Sequence, residues 1–400
     1  MTTTADQIRQ WRGPAILSFG FRPMFLLAAL WATGAMGLWV AMLAGTLTLP
    51  SRFDPVTWHA HEFLFGYLSA VIAGFLLTAV PNWTGRLPVV GWRLAGLALL
   101  WVAGRVAVAW SSHLPFWLVV VADVAFLGVL GLVVLREIVV GKNWKNLPVL
   151  GIVDVLIIAN LLFYLDFARG EAAAQGVGLR LGLAAALVLV AVIGGKIIPS
   201  FTRNWLAKHN ATQMPTLPMQ QFDKATILAT ITALLGWVFA PTHALTGVAL
   251  AVIALLHIAR LARWQGFAAW SEPLVWVLHA AYAFIPLGAA AMATAIFAPH
   301  VLSNAAALHV WTAGALGLMT MAVMTRASLG HSGRALLAGW GTTLIYLALV
   351  GSVAARVAAD VLPDLRDALL NVAAFGWIVC FAGFVLVYGP MLLRAKPDRS

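Results

Sequence analysis

Residues 56–83 read VTWHAHEFLFGYLSAVIAGFLLTAVPNW: Trp58-His59-Ala60-His61-Glu62 stands at the mouth of a long apolar run that ends at Pro81-Asn82-Trp83. A stretch of about twenty apolar residues is what a helix needs to cross the hydrocarbon of a bilayer. Three ionisable side chains at its mouth do nothing for insertion. Such a group costs about 2.5–3.5 kcal/mol at the bilayer centre and less toward the edge, so by default it marks a functional site. Histidine adds metal chemistry, because neutral imidazole ligates iron, copper and zinc and carries no charge when buried.

Composition extends this reading to the whole chain. With 62% hydrophobic and 10% charged residues and a mean hydropathy of +0.92, the sequence is far from a soluble domain, in which charged residues make up about a quarter. The apolar runs are continuous rather than alternating in segments of about ten residues, which excludes a membrane barrel. The fold class is therefore all-α: a polytopic membrane protein. The start, Met1 to Trp11, is polar and lacks the basic stub and short apolar core of a removable signal peptide. Cys380 is the one cysteine, so disulfides, iron–sulfur clusters and covalently attached haem are excluded.

Apolar runs broken by turn residues or charges predict twelve spans, near 15–44, 56–80, 91–111, 115–138, 147–167, 176–199, 223–240, 244–262, 273–298, 304–326, 335–358 and 367–393. The longest connection, 202–222, divides the chain into six-helix halves, 1–201 and 223–400, expected to share one bundle; they echo each other in hydropathy but not residue by residue. Basic residues collect on one side: Arg9 and Arg12, Arg86 and Arg93, Arg136, Lys142 and Lys145, Lys196, Arg203, Lys208 and Lys224, Arg260 and Arg263, Arg326 and Arg334, and Arg394, Lys396 and Arg399. The other side has only Arg52, Arg169, Arg180, Arg356 and Arg366. By the positive-inside rule both termini are cytoplasmic. The net charge of +11 follows from this asymmetry and from attraction to anionic lipid, and nothing points to nucleic acid.

Helical rise assigns depths to the polar residues. Asp54-Pro55 reads as an N-cap followed by proline at the first helical position, which puts His59 and His61 roughly 6 to 9 Å below the outer face. His309, after a cap at Ser303 or Asn304, falls at a similar depth. These three form an expected outer cluster. Ser271-Glu272-Pro273 starts another helix and places His279 about 9 Å from the cytoplasmic face, near the level of His257. His331 lies just beyond the tenth run, in Gly330-His331-Ser332-Gly333-Arg334. His59 and His61 point about 200° apart on a helix, so they serve one centre only if the segment is locally extended. Glu62 suits a proton donor or a group that orients an imidazole. Arg105 and Asp123 lie about equally deep from the short turn 111–116, which predicts a buried ion pair; the competing role for Arg105 is to hold a cofactor carboxylate. The residues alone point to a metal or haem protein, with a histidine-gated transporter as the rival.

The resemblance is more specific. Phe19-Gly20-Phe21-Arg22-Pro23-Met24-Phe25, Trp58 to Glu62, the run from Gly74 through Pro81-Asn82-Trp83-Thr84-Gly85, Gly194-Gly195-Lys196-Ile197-Ile198-Pro199-Ser200-Phe201-Thr202-Arg203-Asn204, and Gly317-Leu318-Met319-Thr320 through Arg326 to Arg334 resemble the NnrS family. That resemblance covers most of the chain and implies a bacterial inner-membrane protein with haem b and copper that binds or reduces nitric oxide and relieves nitrosative stress during denitrification. A haem b electron-transfer protein without nitric oxide turnover is the alternative within the same chemistry. Electrons would come from a membrane quinol or a redox partner. The motifs map the metal sites onto His59, His61, His279, His309 and His331, with His257 beside them, and Glu62 is the candidate proton carrier. Arg22, Arg105 and Arg326 are the candidate cofactor-binding cations. Lys196 departs from the family, which often carries arginine there, and it lacks the bidentate fork.

Overall fold

The computed structural model describes residues 11–85 and 88–395. The polar start of the chain up to Gln10, and Arg9, Arg86, Lys396 and Arg399 of the charge pattern, lie outside them. Among the described residues no strand occurs, and twelve helices are long and apolar enough to cross a membrane. They are α1 (Phe21–Leu43), α2 (Pro55–Thr84), α3 (Trp92–Ala109), α4 (Phe116–Val140), α5 (Trp144–Ala168), α6 (Val177–Lys208), α7 (Gln221–Phe239), α8 (Ala244–Ala262), α9 (Pro273–Phe297), α10 (Asn304–His331), α11 (Trp340–Val361) and α12 (Pro363–Leu393). The protein is thus a multi-pass helical membrane protein.

Helix starts follow the caps that the sequence predicts. Asp54 accepts hydrogen bonds from the backbone N–H groups of Val56 and Thr57, with Pro55 at the first position of α2. Ser303 accepts from Ala306 at the start of α10, and Glu272 accepts from Leu274 at the start of α9. Side-chain oxygens here satisfy amides that no earlier carbonyl can reach. One boundary differs clearly from expectation. Helix α6 runs through Pro199 to Lys208, because a proline that removes one backbone donor is tolerated where neighbouring groups satisfy the freed backbone. Ser200 and Thr202 donate back to the carbonyls of Lys196 and Ile198, at 2.7 and 2.8 Å.

Helices α2 and α10 share a winding that the sequence did not predict. In α2 the α-helical start ends at His61, and Glu62–Leu68 winds as π-helix. In α10 the α-helical start ends at His309, and Val310–Gly317 winds as π-helix. The 18-residue windows of these two spans are also the most enclosed, at 83% and 78% buried, against 67% for α6 and less elsewhere. Wide turns of this kind are rare and are frequently found at functional sites.

The chain forms two compact units. The first comprises residues 1–182, 327–334 and 384–400, and the second 183–326 and 335–383. Within the first unit, α3 and α4 pack as an antiparallel hairpin around the tight turn 110–115. Gly104 lets the helices approach closely, since a Cβ there would lie 3.1 Å from the Asp123 Cα. The next residue, Arg105, is thereby brought against Asp123.

Candidate functional site

The first unit holds a charged cluster enclosed by α2, α3, α4 and α5. Arg105 donates from Nη1 to Glu62 Oε1 at 2.7 Å and from Nη2 to Asp123 Oδ1. The expected Arg105–Asp123 pair is formed, and Glu62 makes it a triad. Both carboxylates are fully buried and the guanidinium is 4% exposed. His61 lies between them, with Nδ1 3.0 Å from Glu62 Oε1 and Nε2 3.1 Å from Asp123 Oδ2. Asn160 Oδ1 is 3.2 Å from the same Nε2. Asn160 and Tyr164 of α5 donate to Asp123 Oδ2, at 2.8 and 3.2 Å. Each ring nitrogen of His61 therefore faces oxygen acceptors. This imidazole is held in place by carboxylates rather than presented with an open lone pair.

His59 points elsewhere, as the 200° offset requires. Its ring stacks on Trp39 at 4.5 Å with planes 20° apart, and Phe63 lies 4.5 Å from it. Arg22, 4% exposed, donates to the carbonyls of Leu392 at 3.0 Å and Arg394 at 2.6 Å, so it caps the end of α12 with positive charge where the helix dipole favours it. His331 is the last residue of α10 and packs edge-on to Phe19 at 5.4 Å, with Phe21 at 5.7 Å. The Phe19–Phe25 and Gly330–Arg334 motifs, more than three hundred positions apart in the chain, meet here.

The second unit contains a hydrogen-bond chain with one consistent direction. Arg260 donates from Nε to Asp223 at 2.7 Å, and from Nη1 to Ala191 O at 2.9 Å and to the Tyr282 hydroxyl at 2.6 Å. The Thr230 hydroxyl donates to Thr226 O at 2.7 Å and must therefore accept from His257 Nε2 at 2.8 Å. His257 Nδ1 is then the acceptor for Tyr282 O–H at 2.8 Å. Counting partners thus fixes the tautomer of His257 and leaves neither nitrogen open. The same argument applies to His279. Thr202 donates to Ile198 O, so His279 donates from Nε2 to Thr202 Oγ1 at 2.8 Å. Its Nδ1 has no hydrogen-bond partner among the described residues, and it faces Gly266, where a Cβ would approach to 2.6 Å.

His309 has a different arrangement. Its Nδ1–H donates to the carbonyl of Ala305 at 2.7 Å, which makes Nε2 the nitrogen that carries the lone pair. A backbone carbonyl that fixes the tautomer from behind is the usual support of a metal-bound imidazole. Arg326 places its guanidinium 4.0 Å over the Phe201 ring, with Nη1 3.5 Å from Leu274 O. Among the described residues no group of three or more histidine, cysteine, aspartate or glutamate side chains is arranged to hold a metal ion.

Asn160, Tyr164, Asp223, Tyr282 and Thr230 were absent from the expected sites. The first two carried a readable signal, an Asn and a Tyr four residues apart on one face of an otherwise apolar span. Arg260 was counted among the cytoplasmic loop cations, yet it is fully buried in the second cluster.

These features define a polytopic helical membrane protein with ionisable clusters enclosed inside its spans. The chain matches the family described as NnrS protein over residues 15–396, nearly its whole length, and belongs to that family. A comparison with curated proteins found no match.

Proposed function

We propose that this is a haem- and copper-containing protein of the bacterial inner membrane that binds or reduces nitric oxide and so relieves nitrosative stress in a denitrification setting. Family membership and the twelve spans support this reading. The observation that carries it furthest is the hydrogen bond from His309 Nδ1 to Ala305 O, which assigns the lone pair of this imidazole to Nε2. Haem b iron, with copper, supplies the reducible centre when bound. His309 would hold it through Nε2. His59, His61, His257, His279 and His331 are the further candidate ligands. Arg105 sets the position of Glu62, which is the candidate proton carrier, and Arg22 and Arg326 are the other candidate cations for cofactor carboxylates. Nitric oxide is neutral and partitions into lipid, so it needs no charged pore. Electrons come in this proposal from a membrane quinol or a redox partner, and both termini face the cytoplasm.

The test is an optical spectrum of the purified, reduced protein with and without nitric oxide, together with iron and copper analysis. An intense Soret band that shifts with nitric oxide, with both metals present, is the expected result. Colourless protein from haem-replete cells overturns the proposal. The buried His61–Glu62–Arg105–Asp123 cluster favours a second reading, proton-coupled transport, because intramembrane charges of this kind line ion paths. Substrate-dependent flux by metal-free protein in liposomes separates the two.

A further inference from the structure

Helix α5 carries a carboxylate on the side that the rest of the chain leaves uncovered. Asp154 is exposed, and it stands two residues, about 3 Å of helical rise, from Leu156 at the middle of the span Trp144–Ala168. The acids that lie deepest in neighbouring spans behave otherwise. Glu62 and Asp123 are fully buried and both pair with Arg105, whereas Asp154 has no ion-pair partner among the described residues. Its Oδ1 lies beside α4, 3.8 Å from where a Cβ on Gly131 would stand. Arg136, the one cation of α4, is more than a helical turn further along.

Exposed residues run down α5 at Leu147, Gly151, Asp154, Ile158, Leu161 and Leu165, in steps of four and three that trace one face of the helix. The apolar members of this stripe suit lipid. The carboxylate does not, since an ionisable side chain at mid-bilayer is expensive and almost always faces a partner. Snorkelling offers no relief, because it depends on the long stems of lysine and arginine, and aspartate has a single methylene. Gly151, one turn away, is open: a Cβ there would meet nothing within 4 Å. Small residues at such places let a second helix approach closely.

We propose that this face of α5 docks a transmembrane helix of another protein, one that carries an arginine or lysine at mid-span to pair with Asp154. Charge complementarity selects the occupant. Lipid tails offer a carboxylate nothing, and headgroups lie about 15 Å from the bilayer centre. A second copy of this chain fits poorly, because a twofold axis along the membrane normal that set α5 against α5 would bring two Asp154 side chains to equal depth. A cation from a different helix meets the charge, as Arg105 does for Glu62 and Asp123 in the same unit. The face stands apart from the histidines and is independent of the proposed metal chemistry.

The full-length protein in lipid nanodiscs, mixed with labelled poly-leucine transmembrane helices, tests the assignment. One helix has a single central arginine and the other is leucine throughout. By energy transfer the arginine helix should associate about tenfold more tightly, a preference lost in Asp154→Leu and kept in Asp154→Glu. Equal association of the two helices, or a preference that survives Asp154→Leu, overturns the proposal. Because the charge faces lipid, Asp154→Leu on its own should match or exceed the wild-type thermal midpoint. A lower midpoint means that the carboxylate already has a partner within the chain, and refutes the docking face. In native membranes a photoreactive residue in place of Ile158 identifies the occupant. The expected adduct is a helix of another protein with a basic residue at mid-span, absent when Asp154→Leu is added; an adduct to a second copy of this chain, or none, counts against the proposal.

Discussion

Replacing Arg105 by methionine should be far more damaging than replacing either of its carboxylate partners, and the reason is a count of charges. The guanidinium lies between Glu62 and Asp123, each fully buried. Removing one partner from a buried pair costs about 3–5 kcal/mol, because the other charge stays in low dielectric. Arg105→Met removes the guanidinium from two carboxylates at once, leaving His61 as the one cationic partner they share, and should reach that range. Asp123→Asn leaves the Arg105–Glu62 pair at 2.7 Å intact and weakens the bonds that Asp123 makes with Arg105, Asn160, Tyr164 and His61, so about 1–3 kcal/mol is expected. The double variant then leaves one carboxylate, Glu62, on His61 instead of two. It should therefore be more stable than Arg105→Met alone, a coupling of the size that contacting charges show, about 0.5–3 kcal/mol. Reversible unfolding in bicelles, backed by thermal midpoints in nanodiscs, measures all three. An Asp123→Asn cost equal to that of Arg105→Met, or a double variant weaker than both singles, would refute the reasoning and turn Arg105 toward a cofactor carboxylate instead.

Other outcomes follow from geometry already described. Tyr282→Phe removes the hydroxyl between Arg260 and His257; leaving His257 Nδ1 unpaired should cost about 1–3 kcal/mol, read as a lower thermal midpoint with the helical circular dichroism unchanged. Gly195→Ala would place a Cβ 2.0 Å from Arg260 Nη2, and an overpacking loss of about 1–3 kcal/mol or more should appear as reduced yield of folded protein. Asp54→Ala deletes the cap of α2 and should lower stability by about 0.5–2 kcal/mol, with faster amide exchange confined to the first turn. His309→Ala should lower bound iron or copper per chain without loss of fold, whereas unchanged metal content removes His309 from the ligand set.

The spans and their caps were legible because membrane insertion imposes length and hydropathy directly on the sequence, and because Asp54, Ser303 and Glu272 cap by local rules. The Arg105–Asp123 pair was legible for a similar reason: a short turn equalises depth on two neighbouring helices. Glu62 as the third member was not. Its place depends on how α2 lies against α3, with Trp101 bonded to Gly66 O, and no local rule specifies that packing. Arg260 and Asp223 were hidden for the opposite reason. Both lie near span ends, where charges are ordinary, so only the fold distinguishes a buried pair from a cap and a loop cation. The histidines were visible as residues, but their available nitrogens were not, because tautomers are set by hydroxyl and carbonyl partners on other turns and other helices.

The π-wound stretches of α2 and α10 bear on how this family can change. Each packs more residues into its turns than a regular helix of equal length, so each behaves like an absorbed insertion. A single-residue deletion within Glu62–Leu68 could therefore restore regular winding without shortening the span. It would leave the residues before it, His59 and His61 included, close to their present direction, because seven residues at the wide winding turn about as far as six at the regular one. For these two spans the wide turns act as a length buffer: a residue can be lost there while the histidine before it keeps its aim.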